Sequence, residues 1–107
     1  MRYYKNLYVS KDLVDKKNKI IQKLNQNEIM WNTYVIALAK GEQNHLEFFD
    51  SMLLKQDIIA ARDLFVVGIA FGYDEALILV EEITREVYDR TKGADIRNYI
   101  LSKENEL

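Results

Sequence analysis

The chain contains no cysteine and no proline, and its 107 residues include only four glycines and one histidine. Without cysteine there is no disulfide, no thiolate nucleophile and no Cys-ligated zinc or iron–sulfur centre. The glycines are too few and too scattered for a phosphate-cradling loop. Gly68-Ile69-Ala70-Phe71-Gly72 lacks both the G-x-G-x-x-G spacing of a dinucleotide fingerprint and the Gly-Lys-Ser/Thr ending of a P-loop. Long apolar runs are absent too. The longest is the eight residues 64–71, whereas a membrane-crossing helix needs roughly 20. Residues 1–6 are polar and lead into no apolar segment of signal-peptide length. These absences point to a soluble, cytoplasmic protein with no membrane partner. No linker, repeat or low-complexity stretch divides the chain, so residues 1–107 read as a single α/β domain with a frayed tail over 102–107.

Charge of one sign is also lacking. Fifteen Lys and Arg against seventeen Asp and Glu leave a net charge of −2, which argues against a general nucleic-acid binder. Hydrophobic residues make up 49% and charged residues 30%, the balance of an ordered chain rather than a disordered one.

The most informative stretch is Leu64-Phe65-Val66-Val67-Gly68-Ile69-Ala70-Phe71, closed by Gly72 and followed at once by Tyr73-Asp74-Glu75. A short, continuously apolar run reads as a strand covered on both faces, and the amphipathic segment after it as a helix over 73–91. Its expected core stripe is Ala76, Leu77, Val80, Ile83 and Val87, with Gly93 placed for a C-terminal cap. Residues 3–10 alternate, which predicts a first strand. Ser10 can cap a helix over 11–26 with Leu13, Val14, Ile20, Ile21 and Leu24 inward and Lys16, Lys19 and Lys23 on the opposite side. Residues 32–39 read as a second buried strand. After the turn signal at 41–44, residues 45–49 read either as an antiparallel return strand or as part of a helix over 44–56. The turn and the Asp50-Ser51 cap signal favour the strand. Asp95 starts a final helix with Ile96, Tyr99 and Ile100 inward. The fold class expected is α/β, a small mixed, mainly parallel sheet of three to four strands with helices packed on it and an antiparallel hairpin within 32–49. Helical crossovers would make the first, second and last strands mutually parallel.

Ligands gather at the carboxyl ends of parallel strands. On that basis Ser10, Lys11, Asn44, His45 and Tyr73 are candidate ligand-binding residues for a small molecule or anion. Ordinary turns and caps use the same residue types. Glu42 and His45 share the Glu-x-x-His spacing of di-iron bundles, but the long helices and further carboxylates of such bundles are missing. As a general base His45 would need a nucleophile such as Ser10 or Ser51, and the sequence places neither beside it. No catalytic, metal or cofactor site is therefore assigned. The lysines of 11–23 could steer an acidic partner or RNA, yet Asp12 and Asp15 dilute them and few aromatics interleave, so a solvated face is the simpler reading. Tyr4, Tyr8 and Trp31 are candidate interface residues, because aromatics with a polar tip are enriched where proteins meet.

Tyr4-Lys5-Asn6-Leu7-Tyr8-Val9, the run 63–70, Gly72-Tyr73-Asp74-Glu75-Ala76-Leu77 and residues 93–101 together resemble a family of short, uncharacterised bacterial proteins from anaerobic Gram-positive gut species. That resemblance implies a bacterial, cytosolic, single-domain protein and carries no catalytic residue with it. The reading from residues is a non-enzymatic module that forms a homodimer and docks on a protein partner, with a small-molecule or anion site at the strand ends as the alternative.

Overall fold

The structure, a computed structural model, describes residues 1–28, 30–39, 45–56 and 63–106. Its elements run β1 (Arg2–Val9), a 3₁₀ turn (Lys11–Lys16), α1 (Lys17–Asn25), β2 (Thr33–Leu38), β3 (Leu46–Asp50), α2 (Leu53–Gln56), β4 (Phe65–Phe71), α3 (Tyr73–Thr91) and α4 (Ile96–Glu104). The four strands form one mixed sheet in the order β1-β4-β2-β3. Residues 46–50 are a strand, as the turn and cap signals favour, antiparallel to β2.

The sheet is not mainly parallel. Among neighbouring strands only the pair β1 and β4 is parallel, and β2 runs antiparallel to both β3 and β4. The cause lies in the segment after α1. The Tyr3 hydroxyl donates to Asn25 Oδ1 at 3.0 Å, so α1 ends near the start of β1. Yet the Met30 carbonyl accepts from Ser51 at the end of β3, and the Asn32 carbonyl accepts from the Gly72 amide at the end of β4. Asn25 and Met30 thus lie toward opposite ends of the sheet, so the chain has returned across its height before β2 begins. The crossover rule holds only for a connection that delivers the chain once. Here it travels out and returns, so β2 starts where β1 ended.

Both faces are covered. On one, Ile36, Leu38, Phe65, Val67 and Ala70 pack under α3 and α4 through Ala76, Leu79, Ile83, Val87, Ile96 and Ile100. On the other, Val35, Ala37, Val66 and Ile69 pack under Leu13, Ile20, Leu24 and Leu54. This is why β2 and β4 lack alternation: each of their side chains meets a helix or turn on one face or the other. In α3 the buried stripe is Ala76, Leu79, Ile83 and Val87, while Leu77, expected inward, is exposed.

A bulge interrupts β4. Ile36 faces Gly68 but Ala37 faces Val66, leaving Val67 as the extra residue. A β-carbon on Gly68 would lie 3.2 Å from Leu79 Cδ2 and 3.3 Å from the Tyr8 carbonyl oxygen, so glycine is what lets α3 lie close on the strand. Gly72 has φ +91°, the turn conformation that releases the chain into α3. At the far end of α3 the left-handed cap is Lys92 (φ 59°), not Gly93. Gly93 instead donates its amide to Thr91 Oγ1. Helix α4 continues to Glu104, past Ser102, where the sequence places a frayed tail. Its end is tied to β1 by the Lys5 amide donating to Glu104 Oε1 at 2.8 Å and by Lys5 Nζ donating to the Glu106 carbonyl.

Candidate functional site

The strand directions decide which candidate residues can meet. The carboxyl ends of β1 and β4 lie side by side, and so do Ser10 and Gly72-Tyr73. His45 immediately precedes β3, opposite the end of β2, where its carbonyl accepts from the Ala39 amide, at the other end of the sheet. Asn44 lies outside the described residues. The five candidates therefore do not converge on one pocket.

Ser10 is committed to the fold. Its amide donates to the Ile69 carbonyl, and its Oγ accepts from the Phe71 amide at 3.1 Å. Its side chain makes no cap bond. The hydroxyl therefore extends the β1–β4 ladder by one rung and does not start the helix. Lys11 Nζ is 3.8 Å from Glu75 Oε1. Ser10, Lys11 and Glu75 line a cleft of about 300 Å³ together with Val9, Ile78, Leu79 and Glu82, and its two carboxylates outnumber the one ammonium, which disfavours an anion. Tyr73 turns away from this cleft toward the far strands, its ring 6.1 Å from Tyr34 and 5.5 Å from Phe48. Among the described residues no group of three His, Asp or Glu could hold a metal ion. No helix among them is long and apolar enough to cross a membrane.

Two of the three interface candidates belong to the core. Tyr4 is 3% exposed and packs on Tyr8 and Phe65. Tyr8 donates its hydroxyl to Glu86 Oε2 at 2.7 Å, and Tyr99 donates to the same oxygen at 2.7 Å. Burial, then the bond to Glu86 and its charge, push the Tyr8 phenol well above its usual range and that of Tyr99 up to about 12. The three residues pin β1, α3 and α4 together. Trp31, by contrast, is 77% exposed.

The structure brings forward a surface that the sequence does not single out. β3 is an edge strand with no neighbour on its outer side among the described strands. The Ala39 amide bonds to the His45 carbonyl and the Ser51 amide to the Thr33 carbonyl. Residues 45, 47, 49 and 51 therefore face β2, and the backbone groups of Leu46, Phe48 and Asp50 face outward. Around this edge, Tyr34, Phe48 and the 54%-exposed Tyr73 form a contiguous aromatic cluster. Leu77 lies one turn along α3 from Tyr73, and Met52 and Leu53, also exposed, come directly after β3. The sequence signal is present in the alternation of Leu46 and Phe48, but it carries weight only once β3 is known to be at an edge.

Comparison of the chain with protein-family models, curated proteins and solved structures finds no match.

Proposed function

We propose that the chain is a non-enzymatic interaction module that self-associates through β3. The supporting observation is the asymmetry of the sheet's edges. The β1 edge is bulged between Tyr3 and Tyr8 and held at Lys5 by the end of α4, two devices that protect an edge. The β3 edge has neither among the described residues and is flanked by exposed aromatic and aliphatic side chains. Strand addition supplies backbone hydrogen bonds along such an edge and apolar contacts beside it.

Its occupant is a second copy, and the register supports that choice. Leu46, Phe48 and Asp50 are evenly spaced about Phe48. An antiparallel two-fold pairing puts Phe48 opposite its own copy and Leu46 opposite Asp50, with all three outward-facing residues bonded. Glu47 then faces Phe49, and no like charges meet across the axis.

Sedimentation equilibrium tests this directly. The wild-type chain is expected to dimerise. Phe48→Lys sets two lysines face to face on the axis and is expected to give a monomer with an unchanged far-UV spectrum, whereas Phe48→Tyr should keep the dimer. A wild-type chain that stays monomeric at every concentration sinks the proposal, as does a Phe48→Lys dimer of undiminished affinity.

A further inference from the structure

A second surface feature stands apart from the β3 edge. A cleft of about 320 Å³ is lined by Lys16, Lys19, Lys23, Ile20, Met30, Trp31 and Thr33, a volume in the range of small-ligand sites. Lys19 and Lys23 lie one turn apart on α1, and Lys16 ends the 3₁₀ turn just before it; none of the three pairs with a carboxylate among the described residues. Asp12 and Asp15, close by in sequence, do not line the cleft. The chain's single tryptophan stands at its rim, 77% exposed and braced by Phe71 at a centroid distance of 5.8 Å. The backbone presents it through an unusual conformation: Asn32, the next residue, has φ +55°, which asparagine tolerates better than most residues. A large exposed ring beside three unneutralised ammonium groups is a stacking platform beside an electrostatic groove.

We propose that this cleft binds short single-stranded nucleic acid, with a base stacked on Trp31 and successive phosphates held by Lys16, Lys19 and Lys23. The chemistry recognised is a planar base joined to a phosphodiester. The lysines span about 10 Å of helix, which suits a strand better than one mononucleotide. The net charge of −2 excludes an extended basic surface but not this local one, because charges more than about 8 Å away are largely screened at physiological salt. Sequence order hides the arrangement: Trp31 lies outside the lysine-rich segment, and only the fold brings it beside Lys16, Lys19 and Lys23.

Because Trp31 is the sole tryptophan, its fluorescence reports on the site. The protein is titrated with a short oligothymidylate, a nucleoside triphosphate and inorganic polyphosphate. The expected result is that the oligonucleotide quenches Trp31 and that log K falls with log salt at a slope near −2, as three phosphate contacts give. The slope should shrink by about 0.7 in Lys19→Ala and again in Lys19→Ala/Lys23→Ala. In anisotropy measurements on a labelled strand, Trp31→Ala should bind roughly tenfold or more weakly with an unchanged melting temperature. Three results overturn the proposal: no binding, binding of polyphosphate and oligonucleotide alike without quenching, or tighter binding of the triphosphate than of the strand.

Discussion

At the scale of single residues, backbone satisfaction explains more of this protein than side-chain chemistry does. Ser10 looks like a helix cap, yet its hydroxyl serves the Phe71 amide. Ser10→Ala should leave that amide without its partner at a cost of about 1–3 kcal/mol, read as a lower urea midpoint with the slope unchanged. Gly72, at φ +91°, should respond similarly. Gly72→Ala forces a β-carbon into a backbone region, φ +91° and ψ 157°, that is essentially glycine's alone, and is expected to cost about 1–3 kcal/mol. The tyrosine pair on Glu86 makes a prediction with a sign. Tyr8 and Tyr99 have folded-state pKa values raised above the ordinary 10.0. Below pH 10 both states are protonated, and the contribution of the pair is fully present. As pH rises above 10, the unfolded chain ionises first and binds fewer protons, so stability falls. For Tyr99 that fall extends to about pH 12. Thermal melts across this window should show the decline, and Tyr8→Phe/Tyr99→Phe should flatten it. The tyrosinate absorbance of the folded protein should rise late relative to the unfolded chain.

At the scale of elements, the sequence is legible where the signal is local. The helix over 73–91 has the boundaries its residues predict, because a glycine turn, two acidic residues in the first turn and a 3.6-residue stripe agree there. The strand over 46–50 is legible through the turn and cap signals around it. Strand direction is not. The unbroken apolar runs of β2 and β4 report two covered faces, and two covered faces do not imply parallel strands: an antiparallel pair between helical layers leaves the same pattern. The deciding event is that the chain comes back to the start of β2 after α1, and no periodicity marks such a return. The same gap scatters the expected ligand site, since reversing β2 moves His45 to the far end of the sheet from Ser10 and Tyr73. The end of α4 escapes the sequence for a related reason. Ser102-Lys103-Glu104 is polar, and polar ends usually fray. Here Glu104 finds the Lys5 amide 99 residues away in sequence. Amide exchange tests that tie: the Lys5 amide should be protected in the full chain and exchange faster in Glu104→Ala, while amides in the middle of β4 are unaffected.

At the scale of the whole molecule, the two edges together determine how far association can go. A sheet with one open edge, paired about a two-fold axis, consumes that edge in both copies and closes as a dimer. A sheet with two open edges has no such stop, because pairing β3 to β3 and then β1 to β1 extends without limit. Two features guard the β1 edge, its bulge and the α4 terminus bound at Lys5, and the second is the one that truncation removes. Light scattering across a wide concentration range distinguishes the two cases. The intact chain should plateau at the mass of two copies. A chain ending at Lys103 loses both Glu104 and the Glu106 carbonyl and should grow past the dimer with rising concentration. Adding Phe48→Lys to the truncated chain separates the edges again: with β3 blocked and β1 freed, growth should stop at a dimer built through β1. If the truncated chain instead plateaus at two copies, the bulge in β1 is sufficient to close that edge and α4 serves packing alone.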